Sequence, residues 1–303
     1  MKHAVSAILV MICALASLPA HAQFNLPSAI GNALGGGGGN VPVSPPPVPG
    51  VPSVPGVPDA NGMQNIIEGM DSSNQAGPRF EYMLGYAIAA MVLGGHKPLP
   101  LDSPVSLYVD QVGQAVALAS NNPFPYKGYL FVVLDTPEIN AFAAPAGFVF
   151  ITTGMLKFLR NEDELAGVLG HEVAHVELNH GLRTLKEGRG WQSAGELFKL
   201  DQGMLGPVYD EMNKSMRDGY SADLEAEADT RSAEMCAKLG YNAVAFRDVL
   251  ERFRQKTGTY GGAKYPDERG KLYADKLAAM RFAQPAPVPG RTDRFASMLG
   301  LLP

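Results

Sequence analysis

The stretch that decides the fold runs from Asn161 to His180 and has the sequence Asn-Glu-Asp-Glu-Leu-Ala-Gly-Val-Leu-Gly-His-Glu-Val-Ala-His-Val-Glu-Leu-Asn-His. Its start predicts a helix N-terminus, because Asn161 can cap the helix and Glu164, three residues on, can complete a capping box. Acidic residues fill the first turn, where the helix dipole favours them, and apolar residues follow at helical spacing. The pattern predicts an amphipathic helix of roughly five turns that ends at Gly181.

Two histidines of this predicted helix, His171 and His175, are four residues apart, so their imidazoles project from one face. Two neutral imidazoles placed in this way can bind one zinc ion, and the carboxylate of Glu172 can take a proton from a zinc-bound water. The alternative is a surface helix that carries two histidines by chance. Against it, three of the six histidines of the chain fall in this one predicted helix. We expect the third, His180, to lie off the metal face in a structural or substrate-channel role.

A catalytic zinc ion usually has a third protein ligand and keeps one position for water. Residues 221–229, Ser-Ala-Asp-Leu-Glu-Ala-Glu-Ala-Asp, predict a second helix that Ser221 can cap. Glu225 and Asp229 lie one turn apart on it, so Glu225 can bind zinc while Asp229 accepts the free N–H of a metal-binding histidine. Glu227 points to another side of this helix, and we expect it not to share that role. By itself the segment would indicate an acidic, solvated helix face, but its pairing with HExxH favours a metal site.

The remaining patterns predict an α+β domain. Residues 82–93 are apolar and rich in small residues and predict a buried helix, because the run is too short to cross a bilayer. Residues 107–120 have a helix-like pattern, and residues 129–134 form an apolar, β-rich run. Two further runs, 139–143 and 148–153, predict a strand pair joined by a turn. Strands followed by helices favour a mostly helical fold with a small sheet beside the active-site helix.

The two ends of the chain differ from its middle in composition. Residues 1–22 predict a secretory signal peptide with a basic start, an apolar run and an Ala-x-Ala site cleaved after Ala22, which would place the mature chain in the periplasm. A membrane anchor is the alternative, but the apolar run is short for a transmembrane span. Residues 23–62 predict a Gly/Pro-rich disordered linker, either a plain tether or a docking peptide. A metallopeptidase domain at 63–284 and a C-terminal tail at 285–303 complete the predicted organisation.

Charge and cysteine content exclude some classes of protein and of stabilising bond. The formal net charge of −5 gives no electrostatic footprint for nucleic acid. Once the leader is removed, Cys236 is the only cysteine, so no intramolecular disulfide can form, and we expect it to be a small buried residue. Residues 184–219, between the two site-bearing helices, are equally consistent with a lid and with a packed structural insertion.

Taken together, these motifs resemble the gluzincin metallopeptidases. They are most similar to the family of the HtpX heat-shock protease, the CAAX prenyl protease and the periplasmic β-barrel assembly-enhancing protease. The resemblance covers roughly residues 80–283. It rests on the Asn-Ala-Phe hairpin that starts at Ile139, on the 161–180 helix, and on Glu-Ala-Glu-Ala-Asp at 225–229.

The resemblance implies a zincin-like fold that hydrolyses peptide bonds with one zinc ion per subunit. The implied site consists of His171, His175 and Glu225 as metal ligands, Glu172 as general base, and Asn140, Ala141 and Phe142 as the strand that pairs with an extended substrate.

The chain departs from the family pattern near its later helix, where many relatives carry His-Pro followed by an arginine. Here the sequence is Tyr265-Pro-Asp-Glu-Arg269. If the two stretches correspond, the histidine that contacts zinc or stabilises the oxyanion in some relatives is missing. Tyr265 or Arg269 would then donate that hydrogen bond. The alternative is a simple helix start with Pro266 in the first turn.

The sequence therefore predicts a zinc-dependent endopeptidase that cleaves unfolded or misfolded cell-envelope proteins. Its partners would be polypeptides, with no nucleic acid and no transmembrane span in the mature chain; peripheral membrane association stays open. One alternative is a periplasmic chaperone or adaptor with a non-catalytic zinc site, although such a site would not need Glu172. Another is an exopeptidase, which a closed cleft would favour.

Overall fold

The computed structural model describes residues 77–187, 214, 219–257, 259–260, 263–264, 267–280, 285, 288 and 290–303. In chain order its elements are α1 (Pro78–Gly95), α2 (Pro104–Leu118), β1 (Leu130–Leu134), β2 (Ala141–Ala144), β3 (Phe148–Thr152), α3 (Thr153–Phe158), α4 (Glu162–Glu177), α5 (His180–Glu187), α6 (Ala222–Lys238), α7 (Ala245–Thr257), β4 (Thr259–Tyr260), β5 (Ala263–Lys264), α8 (Asp267–Met280) and α9 (Arg291–Leu299). This mostly helical arrangement with a small sheet confirms the predicted α+β class.

The main sheet has three strands in the order β1-β3-β2, with β1 parallel and β2 antiparallel to β3. The predicted strand pair is therefore present, and its turn is a short 3₁₀ segment, Pro145–Gly147. Ala146 has a φ of 63° in this turn, and its N–H donates to Glu81 Oε1 on α1 over 3.1 Å. Among the described strands β2 pairs with β3 alone, so it forms one edge of this sheet.

Helix α4 lies at the centre of the core, with α2, α6, α7 and α9 packed around it. Every residue from Glu164 to Val176 is buried, so α4 is an interior helix and not the amphipathic one that the sequence predicted. The closest approach is to α6. A Cβ placed on Gly170 would lie 2.7 Å from Ser232 Oγ, and that hydroxyl donates to Gly167 O over 2.7 Å. The absence of a side chain at Gly170 lets α6 pack closely against the part of α4 that precedes His171.

The predicted start of α4 is confirmed, and its predicted end is wrong. Asn161 Oδ1 accepts a hydrogen bond from Glu164 N over 2.9 Å, as an N-cap should. The helix stops at Glu177, because Asn179 takes a left-handed conformation with φ 55° and turns the chain. Asparagine adopts this conformation more readily than most residues. His180 therefore begins α5 and does not share a helix with the other two site histidines.

The α6 helix follows its prediction closely. It runs from Ala222 to Lys238 after Ser221, and Gly240 follows with a φ of 70°. The Ser221 side chain makes no capping hydrogen bond. Cys236 is buried on this helix, and burial raises the pKa of its thiol to about 12, in line with the predicted structural role.

The expectation of a tail at 285–303 needs correction. Helix α9 lies in this stretch and packs against α2 and α4. Phe295 and Met298 are buried in the same core as the apolar residues of α4. The end of the chain is therefore part of the folded domain.

Several predictions fall outside the described residues. They concern the signal peptide, the linker, most of the 184–219 insertion, and Tyr265 with Pro266. Among the helices that the structure does describe, none combines the length and apolarity needed to cross a bilayer.

Candidate metal centre

Three buried side chains from two helices meet at one point. His171 and His175 project from α4, and Glu225 projects from α6. His171 Nε2 lies 2.9 Å from His175 Nε2 and 3.3 Å from Glu225 Oε2, and His175 Nε2 lies 3.9 Å from Glu225 Oε1. The structure thus brings together the three residues that the sequence singled out as ligands.

This cluster fits a divalent metal ion. Ligand atoms about 2.1 Å from a tetrahedral zinc ion are roughly 3.4 Å from one another. The separations of 2.9 to 3.9 Å within the cluster surround that value. Two imidazoles and one carboxylate also form a donor set used by catalytic zinc, which leaves a fourth position open. The cluster can therefore hold a metal ion and still admit a reactant.

Two buried carboxylates, Glu225 of the cluster and Asp229 next to His171, both contact the buried Arg269. Asp229 Oδ1 lies 2.9 Å from His171 Nδ1, the distance expected if Asp229 accepts the N–H of a metal-binding histidine. Arg269 donates to both oxygens of Asp229, through Nε over 2.8 Å and Nη2 over 2.6 Å, and its Nη1 lies 2.8 Å from Glu225 Oε2. Burial alone would raise the pKa of Glu225, but Arg269 and the two histidines hold it well below its ordinary value. Glu225 is therefore kept as the carboxylate that a metal needs.

Tyr265 and Arg269 were the two predicted oxyanion donors, and these contacts concern Arg269. All three guanidinium nitrogens of Arg269 face carboxylates, which favours a role in positioning Glu225 and Asp229 over a role on the substrate. The predicted role of Tyr265 stays a prediction, since this residue lies outside the described part of the chain.

Glu172 lies beside the cluster and is buried. Burial raises the pKa of its carboxyl group to about 7, and the neighbouring His171 acts in the opposite direction. A carboxyl group of this kind can take up and release a proton near neutral pH, as a general base must.

A small pocket opens next to His175 beside the end of β2. It is lined by Ala143, Ala144 and Pro145 on the sheet side, by His175, Val176, Asn179, Gly181 and Leu182 along α4 and α5, and by Glu81 and Tyr220. Ala141 and Phe142 are partly exposed in the same strand, and the carbonyl of Asn140 just before it accepts from Thr152 N over 3.0 Å. Ala143 and Ala144 of β2 thus line the pocket beside His175, whereas Asn140, Ala141 and Phe142 do not, and their assignment to substrate binding stays a prediction.

Tyr220 was missed by the sequence interpretation. Its ring packs against the His175 ring with centroids 4.6 Å apart, and its backbone N–H donates to Glu225 Oε1 over 2.7 Å. Burial, with the charges of Glu172 and Glu225, raises the pKa of its hydroxyl, which therefore stays a neutral donor. The available signal was an aromatic residue directly before the Ser221 N-cap of the third-ligand helix.

The contacts of His180 and Glu227 were not predicted from the sequence. His180 lies outside the three-residue cluster, as expected, but its Nδ1 is 2.9 Å from His175 Nδ1. Glu227 does not share the role of Glu225, as expected, but it contacts His180, which the sequence did not predict. The error came from the predicted end of α4, because only the turn at Asn179 brings His180 back to His175.

An HExxH motif on a buried helix, a glutamate from a second helix and a sheet edge beside them define a metallopeptidase of the zincin class. The model of Peptidase family M48 matches residues 105–297, and the chain belongs to this family. By family it is a metalloendopeptidase, and the family implies both a metal and polypeptide substrates.

Three similar proteins illustrate the relationship. Metalloprotease YcaL of Escherichia coli is 31% identical over 178 residues, 54% of this chain and 68% of that protein. The putative beta-barrel assembly-enhancing protease of Vibrio cholerae is 26% identical over 233 residues, 70% and 43% of the respective chains. The mitochondrial metalloendopeptidase OMA1 of Schizosaccharomyces pombe is 29% identical over 170 residues, 56% and 50%. The chain thus spans about two thirds of the first relative and half or less of the other two.

Proposed function

We propose that this protein is a zinc-dependent endopeptidase that cleaves unfolded or misfolded proteins of the cell envelope. The observation that carries the proposal is a buried cluster of two histidines and one glutamate, with Glu172 beside it, next to a pocket lined by β2, which forms one edge of the described sheet. A purely structural metal site would need neither a buried general base nor a neighbouring strand edge.

Each side chain of the site has its own role in the proposed reaction. His171, His175 and Glu225 would hold the zinc ion, which supplies a Lewis acid and lowers the pKa of water. Glu172 takes a proton from the water that attacks the scissile carbonyl and later gives it to the leaving amine. Tyr220, with its hydroxyl protonated, donates a hydrogen bond to the carbonyl oxygen as negative charge develops there.

The sheet edge supports an endopeptidase that acts on extended chains. An added substrate strand can pair with β2 through backbone hydrogen bonds, which do not depend on side-chain identity. Only a segment without stable structure of its own can bind in this way. Unfolded proteins are therefore the substrates that the edge favours.

A periplasmic location rests on separate support. The predicted signal peptide at 1–22 would export the chain, and one relative is named a putative beta-barrel assembly-enhancing protease. Both points favour substrates in the cell envelope.

The test compares residues 23–303 with the Glu172→Gln variant, both loaded with zinc, on one protein in its folded and its unfolded form. We expect the unmodified protein alone to cleave, at internal bonds, with the unfolded form cut much faster. Equal zinc content in the two proteins is the control. Cleavage by both would overturn the role of Glu172, and equal rates on the two forms would overturn the choice of substrate. A soluble substrate cut by neither would favour the chaperone alternative.

A further inference from the structure

We infer that His180 and Glu227 form a positioning pair that holds the metal ligand His175, as Asp229 holds the ligand His171. The inference rests on the metal centre of the proposed function and assigns two further residues to it. Neither residue is among the three that can bind the metal directly.

The contacts form a continuous path away from the metal centre. His175 Nδ1 lies 2.9 Å from His180 Nδ1, and His180 Nε2 lies 3.3 Å from Glu227 Oε2. The same carboxylate oxygen accepts from Arg183 Nη1 over 3.0 Å. His180 is completely buried, whereas the side chain of Glu227 is 44% exposed. The path therefore runs from a buried ligand to a partly solvated ion pair.

One arrangement of protons satisfies every ring nitrogen on this path. If His175 binds a metal through Nε2, its proton is on Nδ1 and is donated to His180. His180 must then accept at Nδ1, so its own proton is on Nε2 and is donated to the Glu227 carboxylate. Both imidazoles stay neutral, and each is fixed in one tautomer and one orientation. The arrangement depends on no change of protonation.

The backbone turn makes this contact possible. On a continued α4 helix, a residue five positions after His175 would lie about 140° around the axis from it. Instead the left-handed Asn179 ends the helix, and its carbonyl accepts from Arg183 N over 2.9 Å in the first turn of α5. His180 thereby faces back towards His175.

Both ligand histidines are then held by carboxylates of α6. Asp229 is close enough to contact His171 directly. Glu227, on another side of the helix, reaches His175 only through the interposed ring of His180. Alternate residues of one helix, Glu225, Glu227 and Asp229, thus serve the same centre, one as ligand and two as supports.

The test measures zinc affinity by competition with a chelator and the absorption spectrum of the cobalt-substituted protein. His180→Phe keeps a ring but removes the acceptor and donor, while His180→Asn keeps an acceptor near the position of Nδ1. Glu227→Gln removes the terminal charge, and Asp223→Asn is its control, because Asp223 is an exposed acid of the same helix.

We expect His180→Phe to weaken zinc binding about 10- to 100-fold and to change the cobalt spectrum. His180→Asn should recover part of this affinity, Glu227→Gln should lose less than His180→Phe, and Asp223→Asn should match the unmodified protein. If His180→Phe does not fold without metal, the zinc affinities and cobalt spectra of His180→Asn, Glu227→Gln and Asp223→Asn decide whether the pair positions His175.

Two negative results can be told apart. Absence of stoichiometric zinc binding by the unmodified protein would overturn the metal centre, and the pair with it. Normal binding by the unmodified protein, together with unchanged affinity and spectrum in the His180 and Glu227 variants, would overturn the positioning pair alone.

Discussion

Arg269 forms ion pairs with two buried carboxylates of the candidate metal centre, Glu225 and Asp229. Arg269→Met would remove the guanidinium that faces both carboxylates, and removal of one partner of a buried ion pair typically costs about 3–5 kcal/mol of stability. We expect a loss of this size in denaturant unfolding of the metal-free protein. Bound zinc should offset part of it, because the ion neutralises the same charges.

The control for this variant is Arg247→Met. Arg247 pairs with Asp248 on the surface, where both side chains are about half exposed. Such a pair contributes less than about 1 kcal/mol. Equal losses for the two variants would contradict the assigned role of Arg269.

Tyr220→Phe tests the proposed donor to the substrate carbonyl. The ring would still pack on His175, so only the hydroxyl is lost. Removal of one oxyanion donor lowers kcat about 100-fold or more in well-studied cases. We expect a fall of that order with little change in KM or zinc content. Tyr126→Phe, at an exposed tyrosine, is the control; full activity of Tyr220→Phe would exclude the hydroxyl from the reaction.

The three residues of the cluster and Asp229 were predictable because helical spacing decides which of them share a face, and because the HExxH motif pointed to an acidic partner. The spacing 171, 175 and the spacing 225, 229 each correspond to about one turn. His180, Glu227 and Tyr220 were not predictable in this way. Their positions depend on the turn at Asn179 and on the path of the backbone before α6, and no periodic pattern encodes either.

Among the elements, α4 is anchored at its first residue by Glu162. Its carboxylate accepts from Tyr108 Oη over 2.7 Å, from Tyr241 Oη over 3.1 Å, and from Arg294 Nη2 over 2.7 Å. Burial alone would raise the pKa of Glu162, but these hydrogen bonds lower it below the ordinary value of 4.5. The ionised form is therefore favoured in the folded protein.

This shift predicts how stability depends on pH. Because the folded-state pKa of Glu162 is lower than the unfolded one, its contribution is complete above the unfolded value of 4.5 and is lost as the pH falls through the folded value. We expect Glu162→Gln to lower the free energy of unfolding by about 1–3 kcal/mol at pH 7. The difference from the unmodified protein should shrink on acidification below about pH 4.5. A difference that stays constant down to acid pH would contradict this assignment.

If the substrate pairs with the edge of β2, only alternate N–H groups of its backbone should be needed for binding. In a paired strand, alternate residues direct their N–H groups towards the partner. A series of peptides, each N-methylated at one position near the cleaved bond, should show a two-residue alternation between blocked and normal cleavage. Loss of cleavage at every position, or at none, would mean that the substrate does not bind as an added strand.

The length of α4 shows why element ends are harder to predict than element starts. The N-cap at Asn161 is chemically specific, since a side-chain amide completes the first turn. The end was assigned to Gly181, the usual residue for a left-handed C-terminus. The chain used Asn179 instead, and the ring contact of His180 with His175 is consistent with that earlier end.

At the scale of the whole molecule, α9 packs against α2 and α4 and completes one side of the hydrophobic core. Phe295 is buried there, against a sequence expectation of a tail. We expect Phe295→Ala to lower the free energy of unfolding by about 3–5 kcal/mol. Phe124→Ala is the matched control, because Phe124 is 68% exposed. The measurement is thermal or denaturant unfolding of the two variants. Equally small losses of unfolding free energy in both would indicate that 291–299 is a tail and not part of the core.

The fold class followed from the alternation of patterns along the chain, whereas the layering around α4 did not. A helix buried on all sides has no polar face to reveal how many neighbours cover it. The short segment 291–299 carries too few apolar residues to show from sequence that it completes a core. These features are decided by packing between distant parts of the chain.

The contact between Gly170 and Ser232 has a consequence for how well the two helices tolerate change. A methyl group at Gly170 would lie 2.7 Å from Ser232 Oγ, whose hydroxyl donates to Gly167 O over 2.7 Å. Gly170→Ala would therefore require either the loss of this hydrogen bond or a small separation of α4 and α6. We expect a lower free energy of unfolding, which denaturant unfolding of the metal-free protein would measure.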